Sequence, residues 1–160
     1  MPDSAERREG RWMRRGAIPL LLLPLLILIG YRGKPGRLAP PDGPLQPCPS
    51  TPNCVSTEAT DAGHAMPALP FTGTPGEALA RARAALLAEP RTRIVTERPG
   101  YLHAEARSRV FRFVDDVEVM VDSTSRVVRF RSASRLGRKD FGVNRARMER
   151  FGERFRAAER

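Results

Sequence analysis

The sequence is poor in the side chains that most often carry metal and redox chemistry, with two His and two Cys in 160 residues. That excludes a metal-rich protein and a dense disulfide framework. Lysine is nearly absent, limited to Lys34 and Lys139, so the basic charge is arginine. No Lys/Arg run interleaved with aromatics occurs, and acidic residues are mixed in. Nucleic acid is therefore not an expected partner, despite a net charge of +10. The excess is spread along the chain. Residues 1–43 hold 8 basic and 4 acidic side chains, and residues 44–160 hold 20 and 14. The length suits one domain of ordinary size, and an apolar content of 41% is enough for a packed core.

One stretch lacks charge altogether. Gly16 to Tyr31 (GAIPLLLLPLLILIGY) follows Arg7, Arg8, Arg11, Arg14 and Arg15. This is a positive flank before an apolar run. Sixteen residues make a helix of about 24 Å, short of a bilayer core of roughly 30 Å. Counting from Trp12 closes the gap if Arg14 and Arg15 snorkel, with Trp12 and Tyr31 at the two interfaces. No small-x-small cleavage pattern follows the run, so the reading is an uncleaved signal anchor, with a cleaved signal peptide as the alternative. The positive flank places the N-terminus in the cytoplasm and the rest outside. The expected order is a basic cytoplasmic tail (1–15), a membrane anchor (16–31), a Pro/Gly-rich linker (32–47) and a folded domain (48–160). The expected location is a bacterial inner membrane, with the main domain periplasmic. The linker, RGKPGRLAPPDGPLQP, is expected to be an extended tether without a core of its own.

Cys48 and Cys54 are separated by five residues, two of them proline. In an oxidising compartment a disulfide is the first expectation, with free thiols or a metal site as alternatives. A metal would need further ligands, and only His64 and His103 are on offer.

The folded part reads as α+β. Thr74-Pro-Gly-Glu77 is an N-cap, a proline at N1 and a capping box, and the helix it opens should stop before Pro90. Strands are expected over Arg93–Glu97 and Tyr101–Arg107, joined by a turn at Pro99-Gly100. From Phe111 to Val121 the odd positions form an apolar face interrupted by Asp115, which either points inward or marks a β-bulge. Val127–Ala133 is the fourth strand. A four-residue loop, Ser123–Arg126, would pair Val121 with Val128, Val119 with Phe130 and Val117 with Ser132. It would also set Glu118 opposite Arg131. Met148, Phe151 and Phe155 form the apolar stripe of a last helix, for which Asp140 is the expected N-cap. The expected architecture is a four-stranded antiparallel sheet with two flanking helices, in the order α-β-β-β-β-α, preceded by the N-terminal membrane or signal-anchor helix.

Several blocks resemble a known family. Cys48-Pro-Ser-Thr-Pro-Asn-Cys-Val-Ser56, Phe113-Val-Asp-Asp-Val-Glu118, Arg131-Ser-Ala-Ser-Arg-Leu-Gly137 and Asp140-Phe-Gly-Val-Asn-Arg145 are similar to the domain of unknown function 1499 family over about residues 46–157. The family occurs in bacteria and photosynthetic eukaryotes, often behind a signal or membrane segment. The resemblance implies no activity and no cofactor. Arg138-Lys139 departs from the aromatic or small polar pair expected there.

The same blocks concentrate polar side chains. Asp115, Asp116 and Glu118 lie on the third strand. Arg131, Ser132, Ser134 and Arg135 end the fourth, and Asp140, Asn144, Arg145 and Arg147 open the last helix. They are expected to converge near one end of the sheet, with Asp115 paired to Arg135 or Arg145. One reading is a structural Asp/Arg network in a protein-interaction scaffold. A second is a site for a small anion or lipid headgroup, built from arginines, hydroxyls and a helix N-terminus. An envelope protein is a further possible partner. Hydrolytic catalysis is the least supported. The serines lack a neighbouring His, His103 is expected at the surface, and adjacent Asp115 and Asp116 should face opposite ways.

Overall fold

Residues 35–41 and 43–159 are described in the computed structural model. The basic tail, the anchor expected over 16–31 and the first linker residues lie outside them. Among the described residues no helix is long and apolar enough to cross a membrane.

Thr74 caps the first helix as its sequence requires. Its hydroxyl accepts from the Glu77 amide, and the Glu77 carboxylate accepts from the Thr74 amide at 2.7 Å. The helix, α1 (Pro75–Leu87), stops short of Pro90. Six strands form one antiparallel sheet: β1 (Cys54–Ser56), β2 (Leu69–Pro70), β3 (Thr92–Arg98), β4 (Tyr101–Arg107), β5 (Val114–Asp122) and β6 (Val127–Ser134). A second helix, α2 (Val143–Ala157), closes the domain. The spatial order is β1-β6-β5-β4-β3, and β2 also pairs with β6. The sheet thus has two more strands than the sequence suggests. β1 and β2 share the outer side of β6, pairing with its residues 131–133 and 127–128.

The β5–β6 hairpin has the expected register. Val121 faces Val128, Val119 faces Phe130, Val117 faces Ser132 and Glu118 faces Arg131. Pairing is continuous through Asp115 and Ser134, so β5 carries no bulge and Asp115 points inward. The irregularity sits instead in edge strand β3, between Ile94 and Thr96, where it turns Val95 outward. β5 starts later than expected. Phe111 and Phe113 precede it, exposed and stacked on each other at 5.5 Å.

Both helices cover one face of the sheet. Leu102, Val117, Val119 and Phe130 meet Leu86, Phe151 and Phe155 there, all essentially inaccessible. Phe130 meets Phe151 edge-on at 5.9 Å. Burying an aromatic ring of this size contributes roughly 2–3 kcal/mol. Among the described residues the other face has no helix. The described part of the linker lies across it rather than standing off as a tether. Ala39 and Leu45 are buried there against Tyr101 and Met120. Arg98 grips the carbonyls of Ala39 and Pro40, with its guanidinium 4.0 Å from the Tyr101 ring centre.

Candidate functional site

Alternation along β5 and β6 splits the expected polar cluster between the two faces. Asp115, Ser132 and Ser134 point toward the helices. Asp116, Glu118 and Arg131 point to the linker-covered face, where Arg135 joins them.

On the helix side, Asp115 pairs with neither Arg135 nor Arg145. Its partner is Arg147, whose Nη2 lies 2.6 Å from Oδ2. Arg147 also donates to the Ser132 hydroxyl at 3.1 Å and to Asn144 Oδ1 at 2.7 Å. Asn144, fully buried, accepts from Ser132 at 2.6 Å. Its Nδ2 reaches the Asn53 carbonyl, the Ser134 hydroxyl and Asp140. Asp140 is not the N-cap residue. Gly142 holds that position, at φ 79°, a left-handed conformation that glycine adopts without strain. Asp140 caps from two residues earlier, accepting from the Gly142 amide at 3.0 Å and the Asn144 amide at 2.8 Å. Its carboxylate therefore occupies the helix N-terminus where an anion was expected. Arg145 leaves the cluster and donates to the carbonyls of Gly63 and Ala65. This half locks α2 to β6 and β1.

The linker-covered face holds a second network. Arg135 binds Asp116 through two hydrogen bonds, Nε to Oδ2 at 2.9 Å and Nη2 to Oδ1 at 2.6 Å. It also reaches Glu105 at 2.8 Å. His103 is not a surface residue. It is 3% exposed and lies 2.8 Å from Asp116. Burial alone would raise the Asp116 carboxyl, but hydrogen bonds from His103 and Arg135 and the Arg135 charge hold it at about 2. Glu105 is likewise kept below the ordinary carboxylate range by Arg93 and Arg135, against the opposing effect of burial. Glu118 is fully buried. It accepts from the Ala39 amide at 2.6 Å, the Tyr101 hydroxyl at 2.8 Å and Arg131 Nη1 at 3.3 Å. Burial and the adjacent Glu118 charge push the Tyr101 phenol far above its ordinary range, so it remains a donor.

Arg131 is the incomplete member. Its side chain is 7% exposed, it donates one hydrogen bond to Glu118, and its Nε is buried without a partner. It lines an open pocket of about 390 Å³ between the sheet and the linker. Arg37, Gln46, Cys48, Ser134 and Arg135 line the same pocket. Cys48 is joined to Cys54 in a disulfide, which fixes the end of the linker to β1.

A family described as "Protein of unknown function (DUF1499)" matches residues 44–155. The chain belongs to the DUF1499 family. No curated protein and no solved structure matches it. In this DUF1499 domain the sequence blocks that carry the resemblance supply the disulfide and part of each polar network. Tyr101, His103 and Glu105 belong to the linker-side network but escape a reading based on those blocks. Their signal is the alternation of β4, which puts all three on one face. Among the described residues no group of three or more His, Cys, Asp and Glu side chains is placed to hold a metal ion.

Proposed function

We propose that this DUF1499 domain is a binding module for a small anion, held on the outer side of a bacterial inner membrane by residues 16–31. The observation that carries the reading is Arg131, a buried guanidinium with one hydrogen bond, lining an open pocket. Buried polar groups are nearly always satisfied, and an unpaired one invites a ligand. A carboxylate or phosphate supplies acceptors matched to a guanidinium. Arg135 neutralises the Asp116 charge in the same lining, and exposed Arg37 adds positive charge at the pocket. The helix-side residues Ser132, Asp140 and Asn144 serve the fold in this reading, not the ligand.

The test is an amide NMR titration of the full chain with inorganic phosphate and with acetate. Saturable shifts at Arg37, Gln46 and Arg131–Arg135 are the expected result. A folded spectrum in which these amides do not move under either anion would refute the module.

A further inference from the structure

The β4–β5 loop (108–113) and the β6–α2 loop (135–142) leave the same end of the sheet. Arg107 pairs with Val114 there, and the Arg135 amide donates to the Val114 carbonyl at 3.2 Å. This end carries most of the exposed large apolar side chains among the described residues. Val110, Phe111, Phe113, Phe141 and Val143 are 45–94% exposed, and only Leu87 and Val95 join them elsewhere. Phe141 is the extreme case at 94%, on a left-handed backbone with φ 56°. Arg112 has the same conformation, with φ 55°. Bulky residues rarely adopt it, and it is strained for them. Both loops spend that strain while presenting aromatic rings to solvent.

The same loops are cationic. Arg109, Arg112, Arg138 and Lys139 are all exposed. The single carboxylate on either loop, Asp140, is turned back onto the α2 amides. Arg112 also joins Arg91, Arg93 and Arg107 in lining an open cleft of about 480 Å³, where Arg107 buries an Nε without a partner.

The chain arrives at this end too. The Gly36 amide donates to Asp116 Oδ2 at 3.3 Å, next to Arg135. Gly36 lies five Cα–Cα steps beyond Tyr31, the last residue of the apolar run. Fully extended they reach at most about 18 Å. A domain tethered that closely must keep this end near the bilayer.

We propose that the end bearing Phe111, Phe113, Phe141, Arg112 and Lys139 docks on an anionic lipid surface, the rings entering the interface and the arginine cleft taking lipid phosphates. Aromatic rings favour the headgroup level, and each basic side chain near an anionic surface adds electrostatic attraction. The inference rests on the membrane segment of the proposed function, not on the Arg131 pocket.

The test places the full chain in nanodiscs of phosphatidylethanolamine and phosphatidylglycerol doped with a paramagnetic lipid. Amides of 109–113 and 138–143 should lose signal intensity, while those of Gly100 and Ser123–Arg126 at the far end keep theirs. F111S/F141S and R112E/K139E, changes at exposed positions, should restore the intensity. Release of the chain from the discs by alkaline carbonate would remove the anchor and the tether argument with it. A retained chain whose loops keep full intensity would overturn the docking alone and leave the patch to a protein partner.

Discussion

Arg135, the first residue past β6, clasps Asp116 of β5 through two hydrogen bonds, one at 2.9 Å and one at 2.6 Å. The pair lies under the linker, with His103 on one side of the carboxylate and the Gly36 amide on the other. It ties stability to pH. The folded Asp116 pKa is about 2, below its ordinary value of 3.8. The stabilisation is therefore complete above pH 4 and is lost as the pH falls from 4 through 2. About 2 kcal/mol depends on this one group. Acid unfolding followed by circular dichroism should show the loss in that window. Asp116→Asn removes the carboxylate charge shared by Arg135 and His103 but leaves Arg135 its bond to Glu105, and should cost about 1–3 kcal/mol at neutral pH.

Asn144 joins β6, the disulfide segment and α2 through a side chain with no exposure. Asn144→Ala removes acceptors from Ser132 and Arg147 and a donor from the Asn53 carbonyl. Stranding several buried groups at about 1–3 kcal/mol each makes this among the most damaging single changes in the domain. Chemical denaturation of the variant beside Arg145→Ala should separate them. Arg145 donates to loop carbonyls at the surface, and its loss should be much milder.

Tyr101→Phe keeps the ring that packs on Ala39, Leu45 and Met120 but removes the hydroxyl that donates to Glu118. A loss of about 1–3 kcal/mol is expected, because Glu118 is buried and the hydrogen bond is charge-assisted. Urea midpoints of the two proteins give the difference directly. No loss would show that the linker-side network is dispensable for stability.

How much of this was legible in the sequence differs by face. The β5–β6 register follows from strict alternation and a four-residue loop, and it places Asp115 and Asp116 on opposite faces without any structure. The capping box at Thr74 and the stripe Met148, Phe151, Phe155 are equally local signals. β1 and β2 are three and two residues long, too short for periodicity to register. The linker hid its role because its two anchoring residues, Ala39 and Leu45, belong to no periodic pattern in a Pro/Gly-rich background. That concealment misplaced His103. Alternation put it on the face away from the helices, but only the covering segment makes that face an interior.

Reduction of Cys48–Cys54 should lower stability by about 2 kcal/mol, from the entropy regained by the short loop in the unfolded chain. Cys48 also lines the Arg131 pocket, so reduction should weaken anion binding beyond what the stability change accounts for. Titrating phosphate into oxidised and reduced protein under native conditions checks both. Equal affinities would remove the disulfide from the site.

The most direct measurement is calorimetric titration of phosphate and acetate into the wild-type chain and into Arg131→Lys. Lysine keeps the charge beside Glu118 but lacks the planar fork. Binding by the wild type, and affinity at least about tenfold weaker in the variant, roughly 1.4 kcal/mol, is the expected result. Equal affinity in a folded variant, or no heat from the wild type with either anion, would contradict the anion-binding account.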